Sequence, residues 1–347
     1  MNVNPDLIAT LVKYGVMFAV FINVAPIMNW VERRACAFIQ DRPGPNRVGP
    51  IGLFQPLADA LKFMFKEDVT PSAADRPLYL MAPALALLPA FTTFVVIPFG
   101  PDLTVDGRTI PLVIADVDTG VLLFLALSSL AVYSLVMAGY ASNNKFSLLG
   151  SIRASAQLIS YELALTIAVL AVIIPVGSFR LNDVVAYQQA HVWNFIPQII
   201  GFLVFLIAAF AETNRLPFDL PEAESELVAG FHTEYGAMRF ALFFQAEYTN
   251  MAALSALGVT LYFGGWSLPG VHLSGWLGAA LGLAVLVAKI AICMAVFVWV
   301  RWTFPRFRYD QLMRLGWKIL LPLSILNLIL VAAMTLAGWL GSAPNVS

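Results

Sequence analysis

Eight stretches of this 347-residue chain are long and apolar enough to cross a bilayer, and no other feature restricts its fold as much. A spanning helix needs about 20 mainly apolar residues, because the hydrocarbon core is roughly 30 Å thick and offers the backbone no hydrogen-bonding partner. The stretches fall at roughly 7–30, 78–99, 118–140, 157–177, 195–212, 238–264, 276–300 and 318–341. They predict an all-α integral membrane protein, a single polytopic domain over 1–347 with about eight transmembrane helices. The first stretch does not read as a cleavable signal, since Met1 to Asp6 lacks a positive region and Pro26 to Arg34 lacks small-residue cleavage character.

Composition agrees. Hydrophobic residues make up 60% of the chain and charged residues 12%, against roughly 45–50% and 25% in a soluble domain. That excludes an ordinary soluble enzyme and a disordered chain. A net charge of −1 leaves no basic footprint for nucleic acid. The two cysteines, Cys36 and Cys293, lie far apart, which excludes a thiolate iron–sulfur or zinc site and a disulfide framework. The three histidines are dispersed, so no metal site is expected. A redox cofactor must then sit on a partner or be a diffusing molecule.

Basic residues give the orientation. Sixteen of them fall in the first, third, fifth and seventh loops, and only Arg108 and Arg180 fall in the others. By the positive-inside rule the odd loops are cytoplasmic and both termini lie outside. Within the first loop, Ile51–Lys66 carries Phe54, Leu57, Ala58, Leu61 and Phe65 on one helical face and Gln55, Asp59, Lys62 and Lys66 on the other. It is too short and too charged to span, and it predicts an interfacial amphipathic helix on the cytoplasmic side. Before it, Arg42 to Pro50 is rich in turn formers that shape a non-helical backbone. The outer loops are thin. The third loop, with Asn143 to Gly150 and Arg153 to Gln157, reads as compact and polar, and the seventh, Pro305 to Met313, mixes basic and apolar residues. Both suit docking of a protein partner, with lipid headgroups the alternative.

Acids in or beside spans are the most informative feature, since a carboxylate at the bilayer centre costs roughly 2.5–3.5 kcal/mol on insertion scales. Glu162 lies near the start of span four, Glu212 ends span five, and Glu247 sits inside span six among apolar neighbours; Lys289 lies in span seven. The fifth loop adds Asp219, Glu222, Glu224, Glu226 and Glu234 on the side that should be positive. Clustered loop carboxylates repel, so some take raised pKa values, which suits a proton relay. A solvated acidic loop is the plainer alternative. The position between spans that themselves carry Glu212 and Glu247 favours the relay. A second polar cluster, Glu32-Arg33-Arg34 followed by Arg42, closes span one. Topology signalling explains the arginines, but not Glu32.

These stretches resemble the H subunit of proton-translocating NADH:quinone oxidoreductase, respiratory complex I, in its bacterial form. The likeness rests on Glu32-Arg33-Arg34, Arg42 to Pro50, Gln55 with Ala58-Asp59, Lys66-Glu67-Asp68, Ser142 to Gly150, Ala156-Gln157 with Ser160-Tyr161-Glu162, Ala211 to Gly230, Glu234-Tyr235, Phe240 to Met251 and Pro305 to Met313. The resemblance implies a membrane component that walls the quinone chamber together with peripheral-arm subunits and contacts neighbouring membrane-arm subunits. The substrate would be ubiquinone or menaquinone, and electrons would arrive from FMN and iron–sulfur clusters on partner subunits, with no cofactor bound covalently here. By likeness, Glu32, Arg33, Arg42, Asp59, Arg215 and Arg301 line the quinone path. Glu162, Glu212, Glu222, Glu224, Glu226, Glu234 and Glu247 carry protons toward the membrane arm. The implied location is the bacterial cytoplasmic (inner) membrane, with periplasmic termini.

Two other readings compete. A related component of a membrane-bound hydrogenase or formate-linked complex would lack the quinone; the Arg42-to-Pro50 run and the Glu222/Glu224/Glu226 set favour the quinone enzyme. A secondary transporter would use Glu247 and Lys289, but the internal repeats that many transporters carry are not evident here.

Overall fold

The computed structural model describes residues 13–15, 18–20, 22–105, 108–221, 228–271 and 275–340. Every apolar stretch meets a helix. In chain order the elements are α1 (Val24–Ile39), α2 (Gln55–Phe65), α3 (Arg76–Thr92), a hairpin of β1 (Leu103–Val105) and β2 (Arg108–Ile110), α4 (Gly120–Ala141), α5 (Lys145–Val176), α6 (Leu181–Ala190), α7 (Ile199–Glu212), α8 (Ala237–Tyr262), α9 (Gly275–Thr303), α10 (Tyr309–Arg314) and α11 (Leu321–Leu336). Six segments among the described residues are long and apolar enough to cross a membrane: Lys13–Ile39, Arg76–Val96, Gly120–Ala141, Lys145–Val176, Gly275–Thr303 and Tyr309–Leu336. The other two are special cases. α7 is apolar but has only 14 residues. α8 has 26, but carries Arg239, Glu247 and several uncharged polar groups. Met251 to Tyr262 of α8 are all buried, so this half of the helix meets protein on every side and needs no lipid-facing surface.

Several boundaries differ from the sequence expectation, each for a local reason. α5 begins at Lys145 rather than near 157, so the compact third loop is in fact the helix's first three turns. Asn144 starts it, its side-chain oxygen accepting from the Phe146 amide at 2.9 Å. With 32 residues the helix is roughly 48 Å long, longer than the hydrocarbon is thick, and its polar end is covered by loop five. There the Ser147 hydroxyl donates to the Phe231 carbonyl at 2.7 Å. Gly150 allows that contact, because a Cβ would lie 2.8 Å from the Gly230 Cα. The last span likewise starts early: α10 runs through a π-helical turn, Leu315–Leu320, into α11. The fourth loop is not thin, since it contains α6. The interfacial helix is shorter than Ile51–Lys66. Pro56 sets its first turn, and before it the chain makes a tight turn at Pro50–Gly52, where Gly52 sits at φ 72° against the Pro45 carbonyl.

Loop contacts sort the molecule into two ends. First-loop Asp75 donates its amide to the Ala141 carbonyl beside loop three at 3.0 Å, and Asp68 pairs with Arg239 beyond loop five at 3.0 Å. Loop seven joins them through Arg306–Asp219 at 2.6 Å and the Phe307 amide to the Pro217 carbonyl at 3.1 Å. At the other end Arg180 of loop four pairs with Asp116 of loop two. Gln188 of α6 donates to the Thr260 carbonyl at 2.9 Å, and Lys13 reaches the Pro111 carbonyl at 2.6 Å. In these contacts odd loops touch odd loops and even loops touch even ones, the pattern expected of eight alternating crossings. Single cysteines replacing Asp102 and Lys145 are therefore expected to react with an impermeant thiol reagent from opposite faces of sealed vesicles. Reaction of both from one face would overturn the eight-crossing arrangement.

Candidate functional site

Glu32 is the natural starting point, because it is a carboxylate left 7% exposed inside a membrane protein. It lies in the last turns of α1, where the helix turns Glu32 inward and leaves Arg33 half-exposed. Three groups converge on it. The Tyr248 hydroxyl of α8 donates to Oε2 at 2.6 Å. The Arg301 guanidinium of α9 pairs with Oε1. Arg215 of loop five approaches Oε2 at 3.6 Å. Arg215 is itself 5% exposed. It pairs through Nε with Glu247 Oε1 at 2.8 Å, and its guanidinium lies 4.2 Å over the Tyr248 ring. Two carboxylates and two guanidiniums thus form a formally neutral cluster, the condition under which buried charge is tolerated. Burial works against the Arg215 charge, but Glu247, Tyr248 and Glu32 outweigh it and hold the guanidinium above the ordinary arginine range.

Glu32, Arg301 and Tyr248 also face a cavity of about 450 Å³, with Arg33, Arg42 and Gln55 on its other walls. Arg42 is set there by the turn after α1. Its amide bonds to the Ala37 carbonyl at 2.9 Å, and its Nε donates to the Gln40 side chain at 2.7 Å. Asp59 sits beside the cavity residues: Arg33 Nη1 lies 2.7 Å from its Oδ2 and Gln55 donates to its Oδ1 at 3.4 Å. The opposite side of α2 is bare, with Leu57, Leu61, Met64 and Phe65 exposed. Such an apolar face next to a polar-walled cavity suits an amphiphile with a long tail and a small polar head.

A second, smaller cavity of about 70 Å³ lies deeper and has Glu247, Glu212, Ser128 and Asn250 among its walls. It has room for a water or two. Glu212, at the end of α7, is 8% exposed, and its Oε2 has no hydrogen-bond partner among the described residues. Glu162 of α5 follows, accepting from the Ser129 hydroxyl. Glu32, Arg215, Glu247, Glu212 and Glu162 therefore succeed one another from the large cavity into the helix bundle.

Glu234 stands apart from this series. Its carboxylate accepts from Asn144 Nδ2 at 2.6 Å and its carbonyl from the Tyr79 hydroxyl at 2.7 Å, beside the Asp68–Arg239 pair and the stacked rings of Tyr79 and Tyr235. Glu222, Glu224 and Glu226 lie outside the described residues. Lys289, the cation a transporter reading would use, donates to the carbonyls of Phe263, Gly265 and Ser267 at 2.7–2.9 Å and so ties the end of α8. Among the described residues, no group of three or more His, Cys, Asp or Glu side chains could hold a metal ion. Sequence reasoning missed Tyr248 as a member of the cluster. It also missed Gln157, which is fully buried and ties the end of α7 to loop five by donating to the Ala211 and Phe218 carbonyls at 2.7 and 2.8 Å. The available signal for both was a polar side chain in or at the edge of an apolar span.

Comparison with known proteins adds an independent line. A family model described as NADH dehydrogenase matches residues 12–332. The H subunit of NADH-quinone oxidoreductase from Geobacter metallireducens, in its form 1, is 48% identical over 335 residues, covering 96% of this chain and 97% of that protein. Form 2 of the H subunit from Geobacter sulfurreducens is 51% identical over 318 residues, covering 92% and 94%. The H subunit from Protochlamydia amoebophila is 49% identical over 331 residues, covering 95% and 99%.

Proposed function

The chain belongs to the NADH dehydrogenase family, as an H subunit of NADH-quinone oxidoreductase, and from that premise we propose that it forms the membrane-side wall of the quinone chamber and couples quinone reduction to proton movement. The observation that carries the reading is the continuity of polar groups. A cavity walled by Arg42, Glu32 and Arg301 reaches Gln55 on the polar side of α2, whose other side is bare, and Glu32 is joined through Arg215 to Glu247 and the inner acids. A quinone tail leaves the bilayer along the apolar side of α2, and its head meets Arg42, Arg33 and Asp59 on the way in. Reduction of the head takes up protons and changes the charge facing Glu32. That change moves the balance of the Glu32–Arg215–Glu247 pairs, and Glu212 and Glu162 pass the effect on as proton displacement.

Peripheral-arm subunits complete the chamber and carry the FMN and iron–sulfur clusters that supply electrons. Neighbouring membrane-arm subunits receive the protonic signal. The membrane is the bacterial cytoplasmic membrane, with the odd loops and the cavity on the cytoplasmic side and the termini in the periplasm, in keeping with the basic asymmetry of the loops.

Arg42→Ala and Asp59→Asn test the entry. Each removes a charged hydrogen-bonding group, and each is expected to lower the NADH:quinone rate about tenfold. Electron transfer from NADH to an artificial hydrophilic acceptor should be unchanged, because it ends on partner subunits. An equal fall with both acceptors would mean lost assembly rather than lost quinone handling and would overturn the assignment of these two residues.

A further inference from the structure

The gap between Glu162 and Glu212 is filled by two consecutive serines of α4. Residues i and i+1 of a helix point about 100° apart, so neighbouring side chains reach different partners. Ser129 donates to Glu162 Oε1 on α5. Ser128 lines the small cavity together with Glu212 at the end of α7. Both serines have one further acceptor in common. Each Oγ lies 2.9 Å from the Leu125 carbonyl.

A serine that bonds back to a carbonyl one turn earlier is ordinary in an apolar helix, and Ser134, Ser142 and Ser255 do so here. Those three have no carboxylate as a second partner among the described residues. Ser129 does, and Ser128 lines the small cavity with Glu212, and that difference has a chemical consequence. A hydroxyl has one proton to donate and lone pairs to accept with. Against an ionised glutamate it donates to the carboxylate. Against a protonated one it turns to the Leu125 carbonyl and accepts from the carboxyl O–H. Only a C–O rotation occurs: the serine O–H bond stays intact, and the acid's proton stays on the acid until it moves along the relay.

We propose that Ser128 and Ser129 are positioning residues that keep Glu212 and Glu162 hydrogen-bonded in both protonation states, and thereby set how fast a proton is exchanged between them. The proposal rests on the relay reading of these two acids. An apolar wall in place of the hydroxyls leaves the ionised form of each acid short of a donor in a site with few others, and the relay stalls in one state.

The test replaces each serine by threonine and by valine in the intact complex in sealed membranes. The two substitutes share a shape, so only the hydroxyl distinguishes them. The Ser128→Val/Ser129→Val enzyme is expected to lose about fivefold to tenfold in the coupled NADH:quinone rate, the size of a lost hydrogen bond to a charged group. The Ser128→Thr/Ser129→Thr enzyme is expected to retain most of the rate. In infrared difference spectra the carboxyl stretching band that Glu162→Gln removes should shift in the valine enzyme and return in the threonine enzyme. Equal rates and an unmoved band across the pair would overturn the proposal. Full proton pumping in the Glu162→Gln and Glu212→Gln enzymes would instead overturn the relay reading beneath it, while the carboxyl band would still decide whether the hydroxyls engage the acids.

Discussion

Replacing Arg215 by methionine is expected to remove most of the assembled protein from the membrane. The guanidinium lies between Glu32 and Glu247 and over the Tyr248 ring, with 5% of its surface exposed. Methionine fills similar space but leaves two carboxylates facing each other with Arg301 as the remaining cation of the cluster. Removing one partner of a buried ion pair typically costs ~3–5 kcal/mol, because the other charge is left uncompensated. That is a large part of the roughly 5–15 kcal/mol by which a folded domain is stable. Adding Glu247→Gln restores charge balance, so the Arg215→Met/Glu247→Gln protein is expected to accumulate better than Arg215→Met alone. Immunoblots of washed membranes and the melting temperature of the solubilised complex measure both effects. Wild-type levels and melting in Arg215→Met would show that the cluster contributes nothing to stability, and would remove the physical basis for treating Arg215 as the link between the two carboxylates.

Much of this architecture is readable in the sequence because lipid leaves few alternatives. Apolar length sets the helices, and the positions of the arginines set which loops share a face. What escaped is where helices continue beyond the hydrocarbon. Lys145 to Ala156 looks like a loop by polarity, yet it is helical because Asn144 caps it and loop five covers it. Polarity reports the solvent a helix meets, and here a protein surface replaces the solvent. The site was partly legible for a similar reason. Glu32, Glu162, Glu212 and Glu247 stand out as charges where charge is costly, and of the six residues that the family likeness put on a quinone path, Glu32, Arg33, Arg42 and Arg301 wall one cavity. Their pairing was not legible. Glu32 and Arg301 are 269 residues apart, and no local pattern says which buried cation a buried acid will meet. Glu234, read with the acidic loop as a relay member, has Asn144 and the Tyr79 hydroxyl as partners among the packed odd loops, and sequence proximity did not indicate those partners.

Glu212→Gln is expected to abolish most proton pumping while the complex still assembles. Glutamine keeps the size of the side chain and can still hydrogen-bond with Ser128, so the end of α7 and the small cavity should keep their shape. The missing property is the ability to take and release a proton, and loss of one acid–base group from an obligatory proton path costs on the order of a hundredfold in rate. Glu247→Gln should resemble it in pumping. It should differ in stability, because Glu247 also neutralises Arg215, whereas no ion pair is formed by Glu212 among the described residues. Glu234→Gln is the internal control. Its carboxylate already serves as an acceptor for the Asn144 amide, a role the glutamine oxygen also fills, and it lies in the other cluster, so pumping should stay within about twofold of wild type. Protons moved per NADH oxidised, measured in sealed vesicles, separates the three. A Glu234→Gln enzyme as impaired as Glu212→Gln would mean that the proton path runs through the loop cluster around Tyr79 and Arg239. Normal pumping in Glu212→Gln would remove the acid at the end of α7 from the path and leave the cavity between Glu212 and Glu247 as packing space.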